Sequence, residues 1–178
     1  MLKILHIDSS IQYEGSVSRY LSAEIVRALS LHYPAAQISY RDTIAQPVMH
    51  LDGAIASGFR PGIVADTDND IALQHRLSGE LADEFLASDV LVIGAPMYNF
   101  SLPTQLKAWI DRICVTGRTF RYTESGPEGL CGGKKVIIVS TAGGIHAGQG
   151  SDIAHEQYLK LVLGFVGITD VQIVRAEG

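Results

Sequence analysis

The sequence lacks several features that mark common classes of protein. Only 2 of its 178 residues are cysteine, which suits a reducing compartment, so we expect a cytoplasmic protein without a disulfide. Its 14 lysines and arginines are outnumbered by 19 aspartates and glutamates, and they form no cluster. Phosphate backbones are bound by grouped cations, so we expect no nucleic-acid partner.

Long apolar runs and metal-ligand spacings are also missing. No apolar segment approaches the roughly 20 residues that cross a bilayer, so we expect no membrane partner. An apolar strand pattern begins at Lys3, which argues against a signal peptide. The 6 histidines and 2 cysteines do not fall at ligand spacings, so the sequence predicts no metal site.

What the chain does contain is enough apolar material for one core. Hydrophobic residues are 47% and charged residues 19% of the chain, which is typical of a globular domain. We therefore expect a single domain over residues 1–178. We expect Cys114 and Trp109 on the core side of a helix, and Cys131, in a glycine-rich loop, to be exposed.

Strand and helix patterns alternate along the chain. The predicted strands are mostly unbroken apolar runs, typical of parallel strands covered on both faces, at 3–8, 37–42, 90–93, 136–139 and 171–174. Helical spacing predicts a first helix with Val17, Leu21, Ile25 and Leu29 on one face, then helices at about 68–87, 104–115 and 151–163. This order indicates an α/β fold with a doubly wound, five-stranded parallel sheet.

The loop after the first strand is rich in hydroxyl groups and opens a helix. Ser10 follows the strand, and Ser16 or Ser18 is a natural N-cap, with Val17 between them. Unpaired N–H groups and the positive end of the helix dipole favour an anion such as phosphate there. Capping alone explains the serines equally well, and the two roles are compatible.

A second loop, formed by Pro96, Met97, Tyr98, Asn99 and Phe100, follows the third predicted strand. Pro96 fixes a backbone dihedral, and Asn99 offers both a donor and an acceptor. The two aromatic rings can meet a flat ligand. From this segment alone, an ordinary strand–helix turn whose rings cover the core fits as well.

A third loop, formed by Thr141, Ala142, Gly143 and Gly144, follows the fourth predicted strand. Its glycines allow a ligand to approach the backbone, and His146 can meet a ligand edge or hydrogen-bond within the loop. If the strands, counted along the chain, lie in the order 2-1-3-4-5, all three loops meet at one edge of the sheet. A phosphate cradle beside aromatic and glycine-rich loops favours a mononucleotide with a flat ring, such as FMN.

Two further segments are unusual. Residues 45–65 form a long connection with too many apolar residues for a free linker, so we expect them to pack on the body or on a partner subunit. Residues 117–130 alternate Phe120 and Tyr122 with polar residues before a turn signal, which indicates a projecting hairpin or lid. Its rings either roof a pocket or anchor the hairpin to the body.

With these segments in order, the sequence resembles the FMN-dependent NADH-azoreductases, a flavodoxin-like family of quinone and azo-dye reductases. The likeness covers essentially the whole chain and is densest at 95–100, 119–124, 126–130, 143–146 and 164–170. The resemblance implies a flavodoxin-like fold with bound FMN, and NADH or NADPH as the hydride donor. It also implies a homodimer with its sites at the subunit interface.

The resemblance assigns roles to the three loops. The family's phosphate and ribityl loop matches Ser10, Ser16, Val17 and Ser18. Contacts to the flavin are expected from Pro96, Met97, Tyr98, Asn99 and Phe100, and from Thr141, Ala142, Gly143 and Gly144. Phe120, which matches a lid aromatic, and His146 are expected to contact the substrate. No side chain is expected to act as a catalyst, because flavin N5 carries the chemistry.

The sequence departs from the family in two places. Ala142 stands where the family often has arginine, which would change how the entrance binds a nicotinamide or a substrate. Similar proteins continue after the last strand into a final helix, which is missing before Gly178. We therefore expect apolar surface to be exposed beside the first helix.

The expected function is that of an oxidoreductase. By resemblance, it reduces quinones and azo compounds with two electrons from NADH or NADPH, by ping-pong hydride transfer. The alternative is a flavodoxin-type electron carrier that binds FMN without turning over a small molecule. The lid segment and the connection at 45–65 favour the enzyme.

Overall fold

Seven strands lie in the part of the chain that the computed structural model describes, residues 1–59, 69–146, 148–149 and 154–178. They are β1 (Lys3–Asp8), β2 (Gln37–Asp42), β3 (Val90–Pro96), β4 (Phe120–Thr123), β5 (Gly126–Gly129), β6 (Lys135–Ala142) and β7 (Asp170–Glu177). Five of them form one parallel sheet in the order β2-β1-β3-β6-β7. Counted over these five strands alone, this is the predicted order 2-1-3-4-5, so the predicted sheet is confirmed.

Helices connect the strands. Within the described residues they are α1 (Val17–His32), α2 (Gly53–Ser57), α3 (Asn69–Ala87), α4 (Thr104–Ile113) and α5 (Ala154–Phe165). Helix α2 lies in the predicted long connection, of which residues 60–65 fall outside the described part, as does the predicted helix start at 151. Among the helices described, none combines the length and the apolar character needed to cross a membrane.

Helices α3, α4 and α5 contribute to the main core, together with the sheet. Trp109 of α4 is 2% exposed and Phe85 of α3 is fully buried, and their rings meet edge to face at 6.1 Å. The prediction that Trp109 is a core residue is therefore confirmed. Strand β3 is buried along its whole length, as its unbroken apolar sequence indicates.

Helix α1 covers the other face, but with a different side than the spacing predicts. The buried residues of α1 are Ser18, Ser22 and Val26, one position along from the predicted stripe, and Val17 is 51% exposed. The reason is a close approach between α1 and β3. A Cβ atom on Gly94 would lie 2.8 Å from Oδ1 of Asp8 and 3.6 Å from the carbonyl O of Ser18. Small serines therefore face the sheet where bulky side chains would not fit.

The α1 side of the sheet has an open groove beside this helix. Its volume is about 340 Å³, and its walls include Leu29 of α1, Ile137 of β6 and Gln172 of β7. Val174 of β7 is 39% exposed, and β7 is the last element before Gly178. The expected exposure of apolar surface is thus present here.

The hairpin of β4 and β5 is where a second prediction is wrong. Cys131, which follows β5, is 2% exposed, and its N–H donates to the carbonyl of Val166 at 2.8 Å. A Cβ atom on Gly129 would lie only 2.1 Å from the N atom of Gly167, so the hairpin base and the end of α5 are in tight backbone contact. That contact buries Cys131. Cys114 is half-buried against the core, as predicted, and both cysteines are free thiols.

Candidate functional site

The three predicted loops lie at the carboxyl ends of β1, β3 and β6, which are neighbours in the sheet. Hydrogen bonds join these strand ends directly. The Ser9 hydroxyl donates to the carbonyl of Gly94 at 2.6 Å, and the N–H of Met97 donates to the carbonyl of Thr141 at 2.7 Å. The strand order therefore brings together residues separated by up to about 130 positions in the sequence, at the edge where open α/β sheets bind ligands.

The first loop, residues 9–16, ends in a capped helix. Ser16 is the N-cap of α1, since its Oγ accepts a hydrogen bond from the N–H of Arg19 at 3.4 Å. Its hydroxyl also lies 3.2 Å from that of Ser18, and Ser10 is buried nearby. The N–H groups of Val17 and Ser18 belong to the first helical turn, where no helical carbonyl precedes them. Although the Val17 side chain is exposed, its backbone therefore contributes to a place suited to an anion.

The second loop has an unusual backbone. Asn99 and Phe100 have φ angles of 50° and 63°, the only non-glycine residues with positive φ among those described. This conformation is uncommon for asparagine and rare for a bulky residue, at a cost of about 1–3 kcal/mol each. Tyr98 and Ser101 exchange backbone hydrogen bonds of 2.8 and 3.0 Å that close the turn. The strained turn turns the Asn99 amide and the Phe100 ring, 61% exposed, to the outside.

The same turn leaves specific backbone donors available. The N–H groups of Met97 and Tyr98 are used within the protein, by the carbonyls of Thr141 and Ser101. The N–H groups of Asn99 and Phe100 follow them on the outer side of the turn. Pro96, which ends β3, is buried and has no N–H. The donors that a ligand can meet are therefore concentrated at Asn99 and Phe100.

Side chains also connect the loops. The Tyr98 hydroxyl lies 3.0 Å from Oγ of Ser10 and accepts a hydrogen bond from the N–H of Ile11 at 3.3 Å. The rings of Phe100 and His146 meet edge to face at 6.1 Å. The second loop is thus in contact with the first through Tyr98 and with the third through Phe100.

The third loop presents little more than backbone. Thr141 is buried and Ala142 half-buried, and neither Gly143 nor Gly144 has a positive φ. A Cβ atom on Gly143 would meet no atom within 4 Å. Backbone strain therefore does not explain these glycines. Their effect is a bare edge that a flat ring can approach closely.

A cavity of about 520 Å³ lies beside the second loop. Tyr98, Asn99 and Leu102 line it, together with two residues that sequence reasoning missed, Lys107 of α4 and Tyr158 of α5. Lys107 forms an ion pair of 2.6 Å with Asp111. Burial raises the pKa of Tyr158, so its hydroxyl stays protonated at neutral pH. The cavity wall thus has both apolar and hydrogen-bonding surface, as small-molecule sites do.

Phe120 lies away from these loops in a supporting position. It is 7% exposed at the start of β4, and its ring packs 4.5 Å from that of Phe165 on α5. Tyr122, two residues on, is 71% exposed and is the ring that the hairpin presents to the outside. Phe120 therefore anchors the hairpin in this chain, and its contact with a substrate stays a prediction.

Sequence reasoning also missed an ionic cluster under the first loop. The Arg19 guanidinium binds both carboxylate oxygens of Asp42, at 2.8 and 3.0 Å, and lies 3.7 Å from Asp8. Burial opposes ionisation of Asp42, but hydrogen bonds from Arg19 and from the N–H groups of Ala45 and Ile44 hold its pKa below the usual value. One signal was available: arginine in the first turn of a helix is opposed by the helix dipole and needs a partner.

The sequence matches the family described as having a flavodoxin-like fold over residues 2–178. An FMN-dependent NADH:quinone oxidoreductase of Pseudomonas fluorescens Pf0-1 is 56% identical over 99% of this chain and 87% of its own length. Another from Xanthomonas axonopodis pv. citri is 54% identical over 99% of this chain and 82% of its own length.

Solved structures give the same result. An azoreductase from Bacillus anthracis Sterne superposes with a TM-score of 0.91 at 25% identity, over 100% of this chain and 88% of that chain. An FMN-dependent NADH-azoreductase from Bacillus anthracis Ames Ancestor, solved in complex with FMN, has a TM-score of 0.89 at 27% identity over the same shares. This chain belongs to the flavodoxin-like family that includes the FMN-dependent NADH:quinone oxidoreductases and the NADH-azoreductases.

Proposed function

We propose that this protein is an FMN-dependent oxidoreductase that reduces quinones and azo compounds with NADH. The observation that carries the proposal is the meeting of three loops at one sheet edge, each suited to a different part of FMN. The relatives named above, which are 54–56% identical, are FMN-dependent NADH:quinone oxidoreductases. The alternative of an electron carrier without turnover has no comparable support among them.

The residues present fit FMN. The hydroxyls of Ser10, Ser16 and Ser18, with the first turn of α1, suit the phosphate and the ribityl chain. The Phe100 ring, the Asn99 amide and the bare edge of the third loop suit a flat, polar-edged ring. Contact with FMN is proposed for the whole predicted set, which adds Val17, Pro96, Met97, Tyr98, Thr141, Ala142, Gly143 and Gly144.

FMN, when bound, supplies two-electron hydride chemistry at its N5 atom. The protein's part is to bind and orient. The N–H groups of Asn99 and Phe100 provide fixed donors that favour negative charge on a ring placed against them. We assign no side chain as a nucleophile or a general acid. The nicotinamide and the acceptor use one cavity in turn, so initial-rate plots at several NADH concentrations should be parallel.

We also propose that the active form is a homodimer. Apolar side chains beside the site are exposed in the single chain, namely Ile11 at 56%, Phe100 at 61% and Ile145 at 71%. A group of exposed apolar side chains around a ligand site is typical of an interface. A second copy would cover these residues and close the cavity. Sedimentation equilibrium of the purified protein should therefore give twice the chain mass.

The decisive experiment is a visible absorption spectrum of the protein with FMN, before and after anaerobic addition of NADH. We expect flavin bands perturbed by binding, which bleach within seconds of NADH addition and return when a quinone is added. Bound flavin that does not bleach with NADH or NADPH would favour the electron carrier. A protein that binds no FMN would overturn the proposal.

A further inference from the structure

We propose that Arg19 is a positioning residue that sets the shape of the first loop, residues 9–16, and does not itself contact the cofactor phosphate. This inference rests on the proposed binding of FMN. An arginine at the start of a helix, next to a predicted phosphate site, would ordinarily be assigned as a phosphate ligand. The hydrogen bonds of Arg19 indicate a different role.

All five N–H groups of the guanidinium have partners within the protein. Nε donates to the carbonyl of Gln12 at 3.0 Å, and Nη2 donates to the carbonyl of Ser10 at 2.8 Å and to Asp42 at 3.0 Å. Nη1 donates to Asp42 at 2.8 Å and to the Tyr40 hydroxyl at 3.2 Å. With every donor used and the side chain 12% exposed, no donor is left for a phosphate.

Two of these partners are carbonyls of the loop itself. Arg19 holds the oxygens of Ser10 and Gln12, at the two ends of a three-residue stretch. A carbonyl oxygen that turned toward an anion would repel it. Because both oxygens are held by the guanidinium, the hydroxyls and N–H groups of the loop are the groups that remain for the phosphate.

The other partners fix the guanidinium and compensate buried charge. Asp42 ends β2 and Asp8 ends β1, and both are buried close to the loop. Asp8 accepts hydrogen bonds from Ser22 at 2.8 Å and from Tyr40 at 3.0 Å. Without Arg19, two carboxylates would stand near a bound phosphate with no cation between them. Lysine has three donors on one atom and cannot hold both carbonyls and both oxygens of Asp42 together.

The test compares FMN with riboflavin, which lacks the phosphate, by quenching of flavin fluorescence. We expect Arg19→Lys and Asp42→Asn to weaken FMN binding about ten- to hundredfold while riboflavin binding changes less than about twofold. Arg27→Lys is the matched control, since Arg27 lies on the same helix, exposed and paired with Glu24. It should leave both affinities unchanged.

Hydrogen–deuterium exchange of the flavin-free protein separates positioning from direct contact. In both variants, we expect faster exchange over residues 9–16 and unchanged exchange in the core strands. A selective loss of FMN affinity in Arg19→Lys with normal exchange in this loop would assign Arg19 to the phosphate and overturn the inference. Equal losses for FMN and riboflavin, or none, would also overturn it. Failure of the proposed function is distinct, because the unmodified protein would then bind neither flavin.

Discussion

The Tyr98 hydroxyl and the Ser10 hydroxyl lie 3.0 Å apart, although the two residues are 88 positions apart in the sequence. Tyr98 belongs to the turn after β3, and Ser10 to the loop after β1. The same Tyr98 oxygen accepts the N–H of Ile11 at 3.3 Å. One side chain therefore fixes the proposed ring loop relative to the proposed phosphate loop.

Replacement of Tyr98 by phenylalanine removes these two hydrogen bonds and keeps the ring. We expect FMN affinity to fall about three- to tenfold, because each lost hydrogen bond contributes about 0.5–1.5 kcal/mol. Flavin fluorescence titration measures the change. Tyr122→Phe is the control, since Tyr122 is 71% exposed on the hairpin, and it should bind FMN as the unmodified protein does. Equal affinities for both variants would show that the Tyr98 hydroxyl does not order the site.

Two substitutions at Asn99 separate its backbone from its side chain. Asn99 has a φ of 50°, which glycine adopts freely and alanine adopts at a cost of about 1 kcal/mol. We expect Asn99→Ala to be less stable than Asn99→Gly by about that amount in urea unfolding. Both variants should bind FMN more weakly, because both lack the amide. Normal binding by Asn99→Gly would mean that only the turn's shape matters.

Most of the fold can be predicted from local pattern. The strands at 3–8 and 37–42 have the predicted bounds, because each is a continuous pattern that ends in aspartate. The rule that parallel strands end at one ligand-binding edge then gives the three loops of the site. These inferences need only the chain order and the period of apolar residues.

What the sequence does not predict depends on contacts between distant segments. The inward face of α1 is displaced by one residue because of its close approach to Gly94. Cys131 is buried because Gly129 packs on Gly167, 38 positions away in the sequence. The partners of Arg19 come from β1, β2 and the loop between β1 and α1, and no periodicity indicates such a cluster.

Stability at mildly acidic pH should depend on His155. This residue is 2% exposed, and its Nε2 lies 2.9 Å from the Ser140 hydroxyl. Burial, with a smaller contribution from Arg175, lowers the pKa of His155 below its usual value of 6.5. The unfolded chain therefore binds a proton more readily, and stability should fall as the pH drops below about 6.5.

Replacement of His155 by glutamine should remove this part of the pH dependence. We expect the free energy of unfolding of His155→Gln to change less between pH 7.5 and 5.5 than that of the unmodified protein. Urea unfolding at several pH values measures it. His32→Gln is the control, because His32 is exposed at the end of α1 and should leave the slope unchanged. Equal slopes for all three proteins would contradict the assignment.

The contact between Gly129 and Gly167 should control both stability and the position of the hairpin. Alanine at 129 would place its Cβ 2.1 Å from a backbone atom, so the hairpin must move, and we expect a loss of about 1–3 kcal/mol. Gly79→Ala is the matched control, since a Cβ there meets no atom within 4 Å inside α3 and should stabilise by about 0.5–1 kcal/mol. Urea unfolding measures both changes. Because the hairpin carries the exposed Tyr122 ring, Gly129→Ala should also raise the KM for a quinone, if the hairpin is a lid. An unchanged KM in a destabilised protein would show that the hairpin serves the fold alone.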